Sequence, residues 1–64
     1  MTESGNTSLP KRQLIMEAGL KIFFQKGFHK TKIEEIAQEA GIGKGTVYEY
    51  FAGKEQLFQE ILEE

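Results

Sequence analysis

The run Gly43-Lys44-Gly45-Thr46-Val47-Tyr48-Glu49-Tyr50 holds much of the chain's directional chemistry. Lys44 brings an ammonium with three donors, Thr46 a hydroxyl and a methyl, Tyr48 and Tyr50 a phenol each, and Glu49 an acceptor-only carboxylate. Such groups suit hydrogen bonding to base edges and phosphates. They do not suit catalysis, because no nucleophile–base pair accompanies them and no metal-ligand cluster exists. His29 is the only histidine; it stands without Cys or paired carboxylates nearby and reads as a solvated loop residue. Gly41-Ile42-Gly43-Lys44-Gly45 superficially suggests a phosphate loop. A Walker loop, however, follows a strand and places Ser or Thr directly after its Gly-Lys. Here glycine follows Lys44 and a helical pattern comes before it, so neither an enzyme nor a nucleotide binder is expected, and no cofactor.

The flanking residues supply the elements that must position this run. Ile33, Ile36, Ala37 and Ala40 fall at i, i+3, i+4 and i+7, one face of a helix. Gly41 follows where a left-handed residue stops that helix at no steric cost, and Ile42 plugs the turn beneath it. A second helix runs from about Lys44 to Tyr50, with Val47 and Tyr50 pointing inward. Ala37 is small where the two helices cross. Residues 32–51 thus read as a helix-turn-helix.

Two more helices buttress it. The first opens at Pro10, whose missing N–H is no loss at a first helical position. It buries Ile15, Ala18, Gly19, Ile22 and Phe23, with Leu14 beside them, and ends at Gly27 with Lys26 in its last turn. The second helix opens on Thr31-Lys32-Ile33-Glu34, a capping-box pattern in which Thr31 and Glu34 bond reciprocally. After Gly53 a fourth helix starts at Lys54 and buries Leu57, Phe58, Ile61 and Leu62. Phe23, Phe28, Phe51 and Phe58 are core. Met16, Leu20 and Phe24 form a second apolar strip on helix one, roughly opposite the first. Part of that strip is expected to dock further polypeptide, which requires Phe24 to be exposed in this chain. The fold class is therefore all-α: a small bundle of about four helices containing a helix-turn-helix, homeodomain-like, with no strand pattern.

Composition bounds the rest. The 64 residues make one domain, near the lower size at which a core stands without a staple. With no cysteine, no disulfide or thiolate site supplies one. No apolar run approaches the roughly 18 residues of a membrane span and no signal-peptide core is present, so a soluble, cytoplasmic chain is expected. Residues 1–9 are mostly small and polar and are expected to be a disordered tail. Glu63-Glu64 opposes the helix dipole and implies that helix four continues in a longer parent. The net charge is −2, eight Lys and Arg against ten Asp and Glu. That balance counts against nucleic acid, since phosphate contact dominates sequence-independent affinity, and it permits an alternative, a small helical protein-interaction module without DNA binding. The cations Lys11, Arg12, Lys30, Lys32, Lys44 and Lys54 nevertheless gather near helix starts and the turn.

Over residues 10–62 the chain resembles the N-terminal domain of the TetR (tetracycline repressor) family of bacterial transcription regulators. The matching residues are Ile15-Met16-Glu17-Ala18-Gly19-Leu20-Lys21-Ile22-Phe23, Lys26-Gly27-Phe28, Thr31, Ile36-Ala37, Ala40-Gly41-Ile42, Lys44-Gly45-Thr46-Val47-Tyr48, Tyr50-Phe51 and Lys54-Glu55-Gln56-Leu57. Gly43 and Gly53 depart from the family, which usually has Ser at the first and often at the second. Both precede helices, where Ser to Gly costs only a few tenths of a kcal/mol, but a hydroxyl is lost. The resemblance implies a ligand-responsive repressor acting as a homodimer on a double-stranded DNA operator. It assigns the effector pocket and dimer interface to a C-terminal domain absent from this chain. The second helix of such a motif enters the major groove. This brings Gly43, Lys44, Gly45, Thr46, Tyr48 and Glu49 toward DNA, Lys44 to guanine or phosphate and Glu49 to cytosine. Tyr50, and Thr31, Lys32 and Lys54 at helix starts, would set the register through phosphates.

Overall fold

The structure, a computed structural model, describes residues 10–63. Among them are four helices and no strand: α1 Lys11–Lys26, α2 Ile33–Ala40, α3 Lys44–Tyr50 and α4 Lys54–Glu63. Among the described residues no helix is long and apolar enough to cross a membrane. The expectations for the tail at residues 1–9 and for Glu64 lie outside the described residues.

The α1 helix is the spine and packs against each of the other three. Pro10 stands just before it with extended backbone, and its carbonyl accepts the Leu14 N–H at 3.1 Å. The expected stripe faces inward: Ile15, Ala18, Gly19, Ile22 and Phe23 are buried, and Met16 joins them. Gly19 is required by close approach. A Cβ there would sit 2.8 Å from Leu57 Cδ2 and 3.3 Å from Leu57 Cγ, so α4 can lie this near only over a bare α-carbon. Gly27 ends α1 at φ 86°, a left-handed angle that favours glycine.

The core joins these residues to Ile33, Ile36, Ala37, Val47, Phe51 and Leu57. Phe23, Phe28 and Phe58 form a three-ring cluster with centroids 5.2–5.6 Å apart, within the range that favours tilted and edge-to-face pairs. Two expectations about facing are corrected. Leu62 is exposed, because Leu57 carries the fully buried position of α4 while Phe58 and Ile61 are half-buried. Tyr50 is 41% exposed; the inward position beside Val47 belongs to Phe51, four residues on. Phe24 is 89% exposed and Leu20 is exposed one turn before it, as the docking-strip reading requires, whereas Met16 has left that strip for the core.

Candidate nucleic-acid interface

The corner between α2 and α3 is fixed by backbone bonds. Gly41 adopts φ 77°, ψ 28°, its N–H reaches the Gln38 carbonyl at 3.1 Å, and the Ile42 N–H reaches the Ala37 carbonyl at 3.0 Å. Those two bonds form a Schellman motif. Ile42 packs against the core beneath it, as the plug position demands. Gly43 then starts α3 with extended backbone; its carbonyl accepts from Thr46 at 3.1 Å and Val47 at 3.3 Å, with no side-chain cap.

This corner holds the outer face of α3 in solvent. Gly43, Lys44, Gly45, Tyr48, Glu49 and Tyr50 are exposed, and Thr46 is half-buried. Only Val47 within α3 is buried. A Cβ at Gly45 would meet nothing within 4 Å, so no neighbour within the described residues requires a glycine there. Lys44 Nζ rests on the Glu34 carboxylate at 3.1 Å with both side chains at least half exposed. Glu34 was not among the residues expected at this face. A pairing ten residues apart across the corner leaves no local signal in the sequence.

The flanks differ from expectation. The start of α2 lies one residue later than the proposed capping box. Lys32, not Thr31, is the residue before the helix, and its N–H donates to the Glu35 carboxylate at 3.2 Å. Only this half of a box forms, because a lysine side chain offers no acceptor. Thr31 is 1% exposed and its hydroxyl donates to the Gly27 carbonyl at 2.7 Å. The Thr31 side chain therefore faces the core and closes the α1–α2 turn instead of projecting outward. Lys32 and the neighbouring Lys30 are exposed. Lys54 also turns inward: its ammonium donates to the carbonyls of Phe28 at 2.7 Å, Thr31 at 2.9 Å and His29 at 3.2 Å, and lies 4.5 Å from the Phe28 ring centroid.

The surrounding acidic groups are mostly engaged. Glu35 also pairs with Lys26; the Lys26 ammonium, then the Lys32 N–H, hold its carboxyl below the ordinary value. Glu60 is lowered as well, first by the Gln56 amide and then by Arg12. Gln56 in turn accepts the Ala52 N–H at 2.8 Å, so a side chain three residues into α4 ties the helix start to the residues before it. Glu39 pairs with Lys21 at 2.8 Å. Glu35, Glu39 and Glu60 are thus matched by cations of α1, which lessens their own repulsion of an anionic partner.

Comparison with known proteins agrees with this geometry. The family model for bacterial regulatory proteins of the tetR family matches residues 15–61. The HTH-type transcriptional regulator YhgD of Bacillus subtilis is 44% identical over 54 residues, 84% of this chain and 28% of that protein. The HTH-type transcriptional regulator AcrR of Shigella flexneri is 42% identical over 52 residues, 81% of this chain and 24% of its own length. The solved structure of the fatty acid degradation regulator FadR from Bacillus halodurans superposes with a TM-score of 0.80 at 31% identity, covering 84% of this chain and 29% of that one. The chain spans less than a third of each of these relatives. With a glycine-cornered helix pair and a family match over residues 15–61, the chain belongs to the tetR family of bacterial regulatory proteins, as a helix-turn-helix DNA-binding head.

Proposed function

We propose that α3 reads an operator in the major groove and that the head serves a repressor. The observation that carries this reading is the exposed face of α3, held out by the Schellman corner while Val47 anchors its underside. Lys44 and Tyr48 stand one helical turn apart, so they meet the same stretch of groove. Lys44 must exchange Glu34 for guanine or phosphate. Thr46 and Glu49 supply further base contacts, and the open space at Gly45 lets backbone approach DNA closely. Gly43, Lys32 and Tyr50 flank the groove and meet phosphates through backbone N–H, ammonium and phenol. Thr31 and Lys54 support this face from within.

In a longer parent, further polypeptide covers Leu20 and Phe24, pairs two heads on a palindromic site and holds an effector pocket. The protein works in the cytoplasm, where operator DNA lies.

Titrating the 64-residue chain with random duplex at low salt tests the reading. Binding is expected to be weak, and its logarithm to fall linearly with the logarithm of salt at about −0.9 per phosphate engaged. Absence of binding at low salt would favour a protein-interaction module instead.

A further inference from the structure

The three carboxylates of α2 divide by direction. Glu35 and Glu39 pair with Lys26 and Lys21 of α1. Glu34 instead pairs at 3.1 Å with Lys44, the first residue of α3, across the glycine corner. Both side chains of that pair are at least half exposed. Lys44 stands between Gly43 and Gly45, and a Cβ at either would meet nothing within 4 Å. No side chain next to Lys44 in the sequence therefore screens the pair from a ligand. The Schellman corner fixes α2 against α3, so whatever the Lys44 ammonium meets, the Glu34 carboxylate faces too.

The two groups ask for different things. The ammonium only donates and the carboxylate only accepts. A phosphate offers acceptors alone, so it satisfies Lys44 and repels Glu34. In the major groove a G·C pair offers both: guanine O6 and N7 accept, and the cytosine N4 amino group donates. An A·T pair has no base with two acceptors there and adds the thymine methyl. We infer that Glu34 is a further specificity-determining residue: on DNA the Lys44–Glu34 pair opens onto one G·C pair, with Lys44 donating to guanine and Glu34 accepting from the cytosine amino group. The carboxylate thereby disfavours phosphate as the partner of Lys44. This assignment rests on the operator-reading proposal above and adds a side chain of α2 to the reading face.

Two random-sequence duplexes of equal length test it, one of G·C pairs only and one of A·T pairs only. Each is titrated at low salt with the 64-residue chain, Glu34→Ala, Lys44→Met and the double variant. Both positions are exposed, so the fold is expected to stand. Glu34→Ala removes a repulsion from either duplex but a base contact from the G·C duplex alone. Affinity for the A·T duplex is expected to rise several-fold and affinity for the G·C duplex to change less. The ratio of G·C to A·T affinity is then expected to fall roughly fivefold, the low end of what a good base contact discriminates. With Lys44→Met in place the same change should move the ratio far less, because without the guanine contact nothing sets Glu34 opposite the cytosine. Equal gains on both duplexes would mark plain repulsion and overturn the assignment. So would no change on either, or an equal fall in the ratio without Lys44. If neither the unaltered chain nor Glu34→Ala binds any duplex, the operator proposal fails and takes the assignment with it. Binding by the unaltered chain with a ratio that Glu34→Ala does not move defeats the assignment alone.

Discussion

Two helical glycines separate packing from approach. Gly19 faces Leu57, which is fully buried, whereas Gly45 faces open space. Alanine gains up to about 1 kcal/mol over glycine in a helix interior. At Gly45 nothing opposes that gain, so Gly45→Ala should stabilise the chain by up to about 1 kcal/mol in urea unfolding and weaken duplex binding if backbone meets DNA there. At Gly19 the new methyl must displace both Leu57 Cδ2 and Cγ. Overpacking of this kind costs about 1–3 kcal/mol and outweighs the propensity. Gly19→Ala should therefore lower stability by about 1 kcal/mol, the middle of the range left after subtraction. Equal shifts for the two variants would contradict the close approach of α1 and α4. The sequence placed Gly19 on the buried stripe, but period alone does not say that a second helix rests on its α-carbon.

Each helix start is fastened differently, and two fastenings titrate. Glu35 holds Lys26 and the Lys32 N–H at the start of α2; Glu60 holds Gln56 and Arg12 between α4 and α1. Both carboxyls have folded pKa values below the ordinary one. Their contribution is thus complete above the unfolded glutamate pKa of about 4.3. It disappears as pH falls through the lower folded values. Melting curves should drop as acid is added through that window. Glu35→Gln and Glu60→Gln should melt slightly lower than the unaltered chain at neutral pH and converge with it in strong acid. The difference should be only a few degrees, since these pairs are exposed and screened. Parallel curves across the whole range would show that these bonds do not hold the helix starts. Boundaries of α1, α3 and α4 were readable within a residue or so from Gly27, Gly41 and Gly53. The start of α2 fell one residue late, because Thr31 and Lys32 both follow a turn and only tertiary burial decides which of them stays outside.

Over the whole molecule, part of the acidic total is offset where it stands, because Glu34, Glu35, Glu39 and Glu60 each pair with a cation. Phe24 is an aromatic side chain 89% exposed on the spine helix. Phe24→Ser should change the stability of the 64-residue chain by no more than about 0.5 kcal/mol, as at other open surface sites. In a longer parent, where further chain covers it, the same change should cost about 2 kcal/mol, the value of burying such a side chain. Thermal melts of the two lengths check this, and equal shifts in both would remove Phe24 from any interface.

The amino-acid order determined the four helices, the glycine corner and most of the core, because a 3.6-residue period and a positive φ are local requirements met within a few residues. It also determined the family, since a spaced set of such residues is specific where each alone is common. Tertiary structure decided the rest: Tyr50 stayed largely outside, next to a buried Phe51, Thr31 closed its own turn, and Lys54 reached carbonyls 23 to 26 residues away. Those outcomes depend on which unpaired backbone groups and apolar surfaces another element brings within reach, and neighbours in the chain carry no record of that.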